Sequence, residues 1–313
     1  MSGMRPHHLL SALLLAACGD DAAVPALDAP LPVPTDLTLP GNAYYPENVH
    51  AAPDGTLYVP SLGTGEVVTF APGATTPTTF IAAGDPKGVS GLFATAAHVW
   101  VCAVDLSVQP PATEVREYSL AGALLARHGF SQPAFCNDLI ESATGDLFVS
   151  DSFGAVWKLP AGGGALAVWK ADASLAPPTA SGFGADGLAL DGAGHLFVTN
   201  FSAATLLRIA IASDGTAGAI TPIAVTPAPG APDGMRWLGG DMLVWADGAG
   251  SLAEVALAGD TAAVTTLASG LDGPTSVVRV GATYWVSEGQ LAHLLGGTPP
   301  TTPFTIRAIP TSN

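Results

Sequence analysis

Short apolar segments and polar turns alternate along the chain, a pattern typical of β-strands joined by tight turns. One unit recurs: a polar residue, a short apolar strand, a turn containing Gly or Asp-Gly, and a second strand rich in Leu, Val and aromatic side chains. The copies begin at Glu47, Lys87, Asn137, Asp186, Asp233 and Thr275. Their starts lie about 40 to 50 residues apart, which is the length of a four-stranded propeller blade.

The second strands of the units support this register, because they are short, apolar and rich in β-branched or aromatic residues. They are Leu57-Tyr58-Val59, Val99-Trp100-Val101, Leu147-Phe148-Val149, Leu196-Phe197-Val198, Leu243-Val244-Trp245 and Tyr284-Trp285-Val286. The pattern predicts an all-β fold over residues 41–313, a six-bladed β-propeller with four-stranded antiparallel blades around a central channel. We expect Leu37-Thr38-Leu39 to pair with the last blade and close the ring.

The N-terminal segment has the pattern of an export signal. Arg5 and two histidines precede a mostly apolar run that ends at Ala17 and is too short to span a bilayer. Its last residues, Leu15-Ala16-Ala17-Cys18, resemble a bacterial lipobox, in which Cys18 carries the lipid. Residues 1–18 are thus predicted to be a lipoprotein signal peptide and residues 19–40, rich in Pro, Ala and Asp, a tether. The alternative is a plain secretory signal, so we expect either a lipid-anchored protein of the bacterial cell envelope, on a periplasmic or outer-membrane face, or a secreted one.

Composition and charge limit the partners. The chain has 313 residues, 48% of them hydrophobic, with 37 Gly and 27 Pro, which suits one large β domain with many turns. A net charge of −16 argues against nucleic acid as a partner, because the Lys and Arg clusters that neutralise phosphates are missing. We expect a monomer that meets the membrane only through its N-terminal lipid. Cys102 and Cys136 are left as either a disulfide or two buried thiols.

The residues that open the six units are the main candidates for chemistry. In a propeller the first strand of each blade lines the central channel, so these openers share one rim of the channel. Four of them carry carboxylate or amide oxygens: Glu47, Asn137, Asp186 and Asp233. Three carboxylates on a narrow rim repel each other, and a bound cation relieves that repulsion. The predicted cofactor is Ca²⁺, which prefers oxygen ligands, although another divalent cation also fits.

An alternative interpretation gives the Asp-Gly pairs a role in turns only. Asp54-Gly55 and Asp191-Gly192 have that role in this chain, because each lies between the first and second strands of its unit. Asp186 and Asp233 instead come before the first strand begins, which favours the rim interpretation.

The motifs around these openers resemble those of the gluconolactonase and senescence-marker-protein superfamily of six-bladed calcium propellers. This superfamily includes paraoxonases, diisopropyl fluorophosphatase and, without the metal chemistry, strictosidine synthase. The matching segments are Tyr45-Pro46-Glu47, Cys136-Asn137-Asp138-Leu139, Asp186-Gly187-Leu188-Ala189 and Pro232-Asp233-Gly234-Met235. The resemblance runs from about Tyr45 to the C-terminus and implies that the four rim residues bind a catalytic Ca²⁺. Asp186 departs from the family pattern, which usually has Asn there.

The resemblance implies a calcium-dependent hydrolase that acts on a small-molecule lactone or ester, with Asp233 as the first candidate for the catalytic base. Residues at the ends of the second strands border the same mouth, and Lys87 can contact either the carboxylates or an anionic substrate. The predicted substrate pocket therefore comprises Lys87, Asp151, Asn200, Asp247 and Glu288. The rival hypothesis is a non-enzymatic propeller that binds a ligand on its face and uses the cation only as a structural brace.

Overall fold

The computed structural model describes residues 35–311, which form twenty-four β-strands and one short helix, α1 (Leu291–Gly296). The first twelve strands are β1 (Leu37–Thr38), β2 (His50–Ala51), β3 (Leu57–Pro60), β4 (Val67–Phe70), β5 (Thr78–Ile81), β6 (Gly88–Ala94), β7 (His98–Asp105), β8 (Ala112–Ser119), β9 (Leu124–Gly129), β10 (Cys136–Glu141), β11 (Leu147–Asp151) and β12 (Ala155–Leu159). The remaining strands are β13 (Ala167–Ala171), β14 (Ala185–Leu190), β15 (His195–Asn200), β16 (Thr205–Ile211), β17 (Ala217–Thr226), β18 (Pro232–Gly239), β19 (Met242–Asp247), β20 (Ser251–Ala258), β21 (Thr261–Ser269), β22 (Pro274–Val280), β23 (Thr283–Glu288) and β24 (Thr305–Pro310). The predicted signal peptide, Cys18 and most of the predicted tether lie outside the described residues.

The strands form antiparallel sheets of consecutive strands. Strands β2–β5, β6–β9 and β10–β13 each make a four-stranded sheet. Strands β14–β17 and β18–β21 make two further antiparallel runs, which join into one eight-stranded sheet through a short parallel pairing of β17 with β21. The fold is therefore propeller-like, with four-stranded antiparallel blades around an axis.

The last sheet combines the two ends of the described chain. Strands β22, β23 and β24 are completed by β1, in which Leu37 pairs with Ile306 and Thr38 with Thr305. The predicted pairing of this N-terminal segment with the final sheet is confirmed. Because the outer strand comes from the start of the chain, the ring is closed by backbone hydrogen bonds rather than by a loop alone.

The first strands line the axis. Contacts between them form a closed cycle that runs through β2, β6, β10, β14, β18 and β22 and returns to β2. Apolar side chains fill the spaces between neighbouring sheets, where Trp157 and Trp245 are fully buried. Burial of each such large side chain contributes about 2 kcal/mol or more to folding, which holds the sheets face to face.

A disulfide joins Cys102 of β7 to Cys136 of β10, with their Cα atoms 5.4 Å apart. The two cysteines that the sequence left open are therefore paired. The bond links neighbouring sheets and anchors the start of β10, directly before Asn137.

Candidate functional site

The four oxygen-bearing openers lie at one end of the ring of first strands. Asn137, Asp186 and Asp233 belong to β10, β14 and β18, and Glu47 lies three residues before β2. All four are buried, with exposed fractions between 3% for Asp186 and 6% for Asp233. Since their strands neighbour one another around the axis, residues that are far apart in sequence meet in one buried cluster, which we call the rim cluster.

Direct contacts hold the rim cluster together. The Asn137 Nδ2 donates to the Asp186 Oδ2 at 2.9 Å and to the Ser152 Oγ at 3.0 Å. The Asp233 Oδ1 accepts from the backbone N–H of Gly234 at 2.9 Å. The Asp186 Oδ1 is buried and accepts from no N–H or O–H group among residues 35–311 when Asp233 is ionised, whereas a protonated Asp233 carboxyl group can donate to the Asp186 side chain. A buried carboxylate oxygen without a partner is costly, and a ligand at this position would remove that cost.

Burial and mutual repulsion shift the pKa values of the three carboxyl groups. Burial raises the pKa of Asp186 to about 7, and the charge of Asp138 adds to the shift. Burial, followed by the charges of Asp186 and Glu47, raises the pKa of Asp233 well above its usual range. Burial and the charges of Asp186 and Asp138 likewise raise the pKa of Glu47, and the Arg236 guanidinium opposes this shift. Without a cation the site therefore takes up protons near neutral pH.

Three of the four rim residues, Asn137, Asp186 and Asp233, lie in β-bulges of their first strands. The register of β10 shifts between Cys136 and Leu139, that of β14 between Ala185 and Leu188, and that of β18 between Pro232 and Met235. At each shift two residues of the first strand face one residue of the second strand, and bulges of this kind redirect side chains. The bulged residues are the pairs Asn137-Asp138, Asp186-Gly187 and Asp233-Gly234, which also form the centre of the sequence motifs.

The glycine that follows an aspartate in two of these bulges allows neighbouring first strands to approach closely. A Cβ atom on Gly187 would lie 2.3 Å from the Asp233 carbonyl oxygen, and one on Gly234 would lie 2.7 Å from the Thr275 carbonyl oxygen. Neither glycine has a positive φ. They are therefore required by contact between strands rather than by a turn.

Gly187→Ala is expected to lower the free energy of unfolding by about 2 kcal/mol or more, because the added methyl group meets rigid backbone. The control is Gly192→Ala, where no atom lies within 4 Å of the added Cβ. Its effect should stay within about 0.5 kcal/mol in denaturant unfolding monitored by circular dichroism. Equal stability of the two variants would contradict the close approach of β14 and β18.

The Asp-Gly pairs that were interpreted as turns do form turns. The Asp54 Oδ1 accepts from the N–H of Thr56, and the Asp191 Oδ1 accepts from the N–H of His195. Both aspartates lie between the first and second strands of their sheets. Position along the repeat thus separated these turn residues from the rim residues.

The other two openers do not join the rim cluster. Thr275 is buried, and its hydroxyl donates to the carbonyl of Pro46, which ties the last sheet to the first. Lys87 is exposed and lies near Asp105, whose pKa is lowered chiefly by hydrogen bonds from Ser107 and to a smaller extent by the Lys87 charge. The guanidinium of Arg236, rather than the ammonium of Lys87, is the positive charge that acts on Glu47.

The four pocket candidates at second-strand ends are buried and share a structural contact. Each one bonds to the backbone of the loop that leads into the first strand of its own sheet. The pairs are Asp151 with Phe135 N, Asn200 with Ser174 O and Ala176 O, Asp247 with Gly230 N and Ala231 N, and Glu288 with Asp272 N. These bonds position the loops beside the rim cluster, and the role of the four residues in a substrate pocket stays a prediction.

Four phenylalanine side chains from the segments next to β10, β11, β14 and β15 pack against one another. The Phe183 ring packs edge-to-face against Phe135, with ring centroids 5.7 Å apart, and against Phe201, at 6.4 Å. Phe135 lies two residues before Asn137. Phe153, against Phe135, is exposed.

A groove of about 440 Å³ lies beside Lys87 and is lined in part by Leu62, Val104, Leu106 and Leu294. The predicted pocket residue Lys87 therefore borders a largely apolar groove. Such surroundings suit a small organic molecule, because apolar walls with a few polar groups are typical of ligand sites.

No group of three or more His, Cys, Asp or Glu side chains has the geometry of a metal cage in residues 35–311. The three carboxylates of the rim cluster, Glu47, Asp186 and Asp233, therefore act on one another through their charges but are not arranged as a ready-made metal cage. Over the same residues no helix has both the length and the apolar character needed to cross a bilayer.

Comparison with known proteins places the fold. No protein-family model and no curated protein sequence matches the chain. Solved structures do match. Virginiamycin B lyase from Staphylococcus aureus aligns over 88% of this chain and 87% of its own, with 14% identity and a TM-score of 0.60. A protein described as a gluconolactonase aligns over 89% and 94%, with 13% identity and a TM-score of 0.62.

A luciferin-regenerating enzyme also matches, over 85% of this chain and 91% of its own, with 16% identity and a TM-score of 0.62. At these identities the similarity establishes the fold alone. The chain therefore has the propeller-like fold of these solved structures, and the resemblance predicted from its motifs is confirmed at the level of the fold. Because lyases and gluconolactonase-like proteins share this fold, the reaction has to be argued from the rim cluster.

Proposed function

We propose that this chain is a calcium-dependent hydrolase of lactones or related esters, with the ion held by Glu47, Asn137, Asp186 and Asp233. The observation that carries the proposal is a buried cluster in which the Asn137 amide donates to Asp186 and the charges of Asp186 and Glu47 act on Asp233. Hydrolase-like propellers among the structural neighbours support it.

The donor set fits a hard divalent cation. All four side chains offer oxygen, which Ca²⁺ prefers, and the Asp186 Oδ1 is a buried oxygen in need of a partner. The raised pKa values of the three carboxyl groups, caused first by burial, are the electrostatic cost that a cation would remove. When bound, the cation would polarise a carbonyl group and stabilise negative charge on its oxygen.

Asp233 is the proposed proton acceptor. Its carboxyl group is buried in the rim cluster, and with a cation bound it is ionised and can accept a proton from a nearby water molecule. The N–H of Gly234 fixes one of its oxygens, which orients the side chain. The aromatic side chains of Phe135 and Phe183 would exclude water from the organic part of the substrate.

The finer features of the architecture belong to the same proposal. We interpret the eight-stranded sheet as two blades that meet through β17 and β21, which makes six blades around the channel. We also propose that the protein acts as a monomer, attached to the bacterial cell envelope through a lipid on Cys18.

One observation favours a second candidate function. The rim residues are almost fully buried, which suits an ion that braces the channel of a non-enzymatic, ligand-binding propeller. In that case the groove beside Lys87 would bind the ligand and the cation would contribute only stability.

Measurements of substrate turnover and of thermal melting distinguish the hydrolase from the non-enzymatic binding protein. The purified protein is assayed on a panel of simple lactones and aryl esters with Ca²⁺ and again with a chelator, beside Asp233→Asn and the exposed-site control Asp214→Asn. The hydrolase predicts turnover that disappears with the chelator and falls at least about 100-fold in Asp233→Asn but not in Asp214→Asn. Turnover that survives the chelator would refute calcium dependence. A calcium-dependent melting shift without any turnover would favour the binding protein.

A further inference from the structure

An ion pair lies inside the channel next to the rim cluster. The Arg236 Nη1 contacts the Asp138 Oδ2 at 2.9 Å, and the side chains are only 10% and 2% exposed. Both residues belong to first strands, since Asp138 follows Asn137 in β10 and Arg236 lies three residues after Asp233 in β18. A charged pair this deeply buried is costly unless it has a specific role or many partners.

Asp138 is held by donors from several parts of the ring. Its Oδ1 accepts from the Asn48 Nδ2 at 3.2 Å and from the N–H of Leu139 at 2.9 Å. Its Oδ2 accepts from the N–H of Leu188 at 3.1 Å in addition to the guanidinium. Asp138 therefore bridges β10, β14 and β18 and the segment before β2.

Arg236 is less completely satisfied than its partner. Its Nη1 also donates to its neighbour's carbonyl, Met235 O, at 2.7 Å, and its Nη2 donates to the Asn48 Oδ1 at 3.3 Å. Its Nε is buried and has no partner within the described part of the chain. The guanidinium therefore uses only part of its hydrogen-bonding capacity, and its main partner is the oppositely charged Asp138 carboxylate.

The charge of Arg236 reaches the rim cluster. The guanidinium contacts Asn48, which follows Glu47, and Asp138, which follows Asn137, so its charge lies beside two of the four rim residues. His50 also faces Arg236, and burial together with the guanidinium lowers its pKa, so His50 is neutral. The charged side chains of this part of the channel are Glu47, Asp138, Asp186, Asp233 and Arg236. When all are ionised, one positive and four negative charges leave three negative charges, of which a divalent cation would neutralise two.

We propose that Arg236 is a built-in counter-ion that sets the calcium affinity of the rim cluster and holds its carboxylates together in the metal-free protein. The inference rests on the proposed cation site and adds a positioning residue to it. Because the guanidinium repels a nearby cation, it weakens binding. Because it pairs with Asp138, it also limits the repulsion among the carboxylates before the ion arrives.

Calorimetric titration of the full-length protein with CaCl₂ at constant pH and ionic strength tests the proposal. Arg236→Gln removes the positive charge and is expected to tighten calcium binding about tenfold. Arg236→Lys keeps the charge and should stay within about threefold of the original affinity. Asp138→Asn keeps the shape and removes a negative charge, so binding should weaken about tenfold. The double variant Arg236→Gln/Asp138→Asn should return close to the original value.

Each outcome of these calcium titrations supports or refutes the role proposed for Arg236. If Arg236→Gln binds calcium no more tightly than Arg236→Lys, the residue is structural and the proposal fails. If Arg236→Gln does not fold, Asp138→Asn still decides, since an unchanged affinity there overturns the proposal. If the unmodified protein gives no calcium signal, the cation site itself is refuted together with this inference. Calcium binding without the expected charge dependence would refute the inference alone.

Discussion

Glu47→Gln is expected to weaken calcium binding by at least about 100-fold, because the rim cluster loses one of its three anionic ligands. The same substitution should stabilise the metal-free protein at pH 8. Burial and the charges of Asp186 and Asp138 raise the pKa of Glu47, so folding at pH 8 costs free energy for a glutamate that is ionised in the unfolded chain, and a neutral amide avoids that cost. Calorimetric titration and thermal melting with a chelator measure the two effects.

The matched control is Glu66→Gln. Glu66 is partly exposed and lies directly before β4, and its Oε1 accepts from the Thr79 hydroxyl. Its calcium affinity should not change, and its metal-free melting temperature should move by no more than about 2 °C. A Glu47→Gln variant that binds calcium more weakly but is more stable without metal would show that Glu47 serves ligand binding at a cost in stability. A Glu47→Gln variant that binds calcium normally would remove Glu47 from the site.

The metal-free protein is expected to lose stability as the pH rises from 5 to 8. Burial raises the pKa of Asp186 to about 7, whereas in the unfolded chain an aspartate titrates near 4. Between these values the folded protein holds a proton that the unfolded chain has released, so each rise in pH favours unfolding. Glu47 and Asp233, whose pKa values are raised by burial first, act in the same direction. The melting temperature should fall by at least about 5 °C over this range.

Added calcium should cancel this trend, because the ion competes with the protons and binds more tightly as the pH rises. A concentration 100 times the dissociation constant stabilises the folded state by about 2.7 kcal/mol. Asp186→Asn removes one of the titrating groups and should flatten the metal-free pH profile, while the exposed-site control Asp214→Asn should not. Differential scanning calorimetry at pH 5, 6, 7 and 8 gives both profiles. Identical profiles for the two variants would show that the rim carboxyl groups do not titrate as described.

The periodic pattern was sufficient to predict the strands and their grouping. Each unit pairs within itself, so short-range alternation of apolar and polar residues reports directly on the antiparallel sheets. The contact of Leu37 with Ile306 was also predicted, because an N-terminal apolar segment can complete the last sheet. The convergence of Asn137 and Asp186 followed from their equal positions in the repeat.

Other features depended on contacts that no repeat position encodes. The ion pair of Arg236 with Asp138 joins residues 98 positions apart, and only the charge of Arg236 in an otherwise apolar strand hinted at it. The pairing of Cys102 with Cys136 needed the distance between neighbouring sheets. The bonds from second-strand ends such as Asp247 to nearby loops depended on loop conformations, which vary freely with sequence.

By itself the sequence determined the repeating strands, the register of the polar openers and their place on one rim, because each repeat folds through its own neighbours. Only the tertiary structure decided which charges meet in the channel and how strongly they act on one another. The reason is that burial and distance set those interactions, and both arise when the ring closes and brings first strands from opposite ends of the chain into contact.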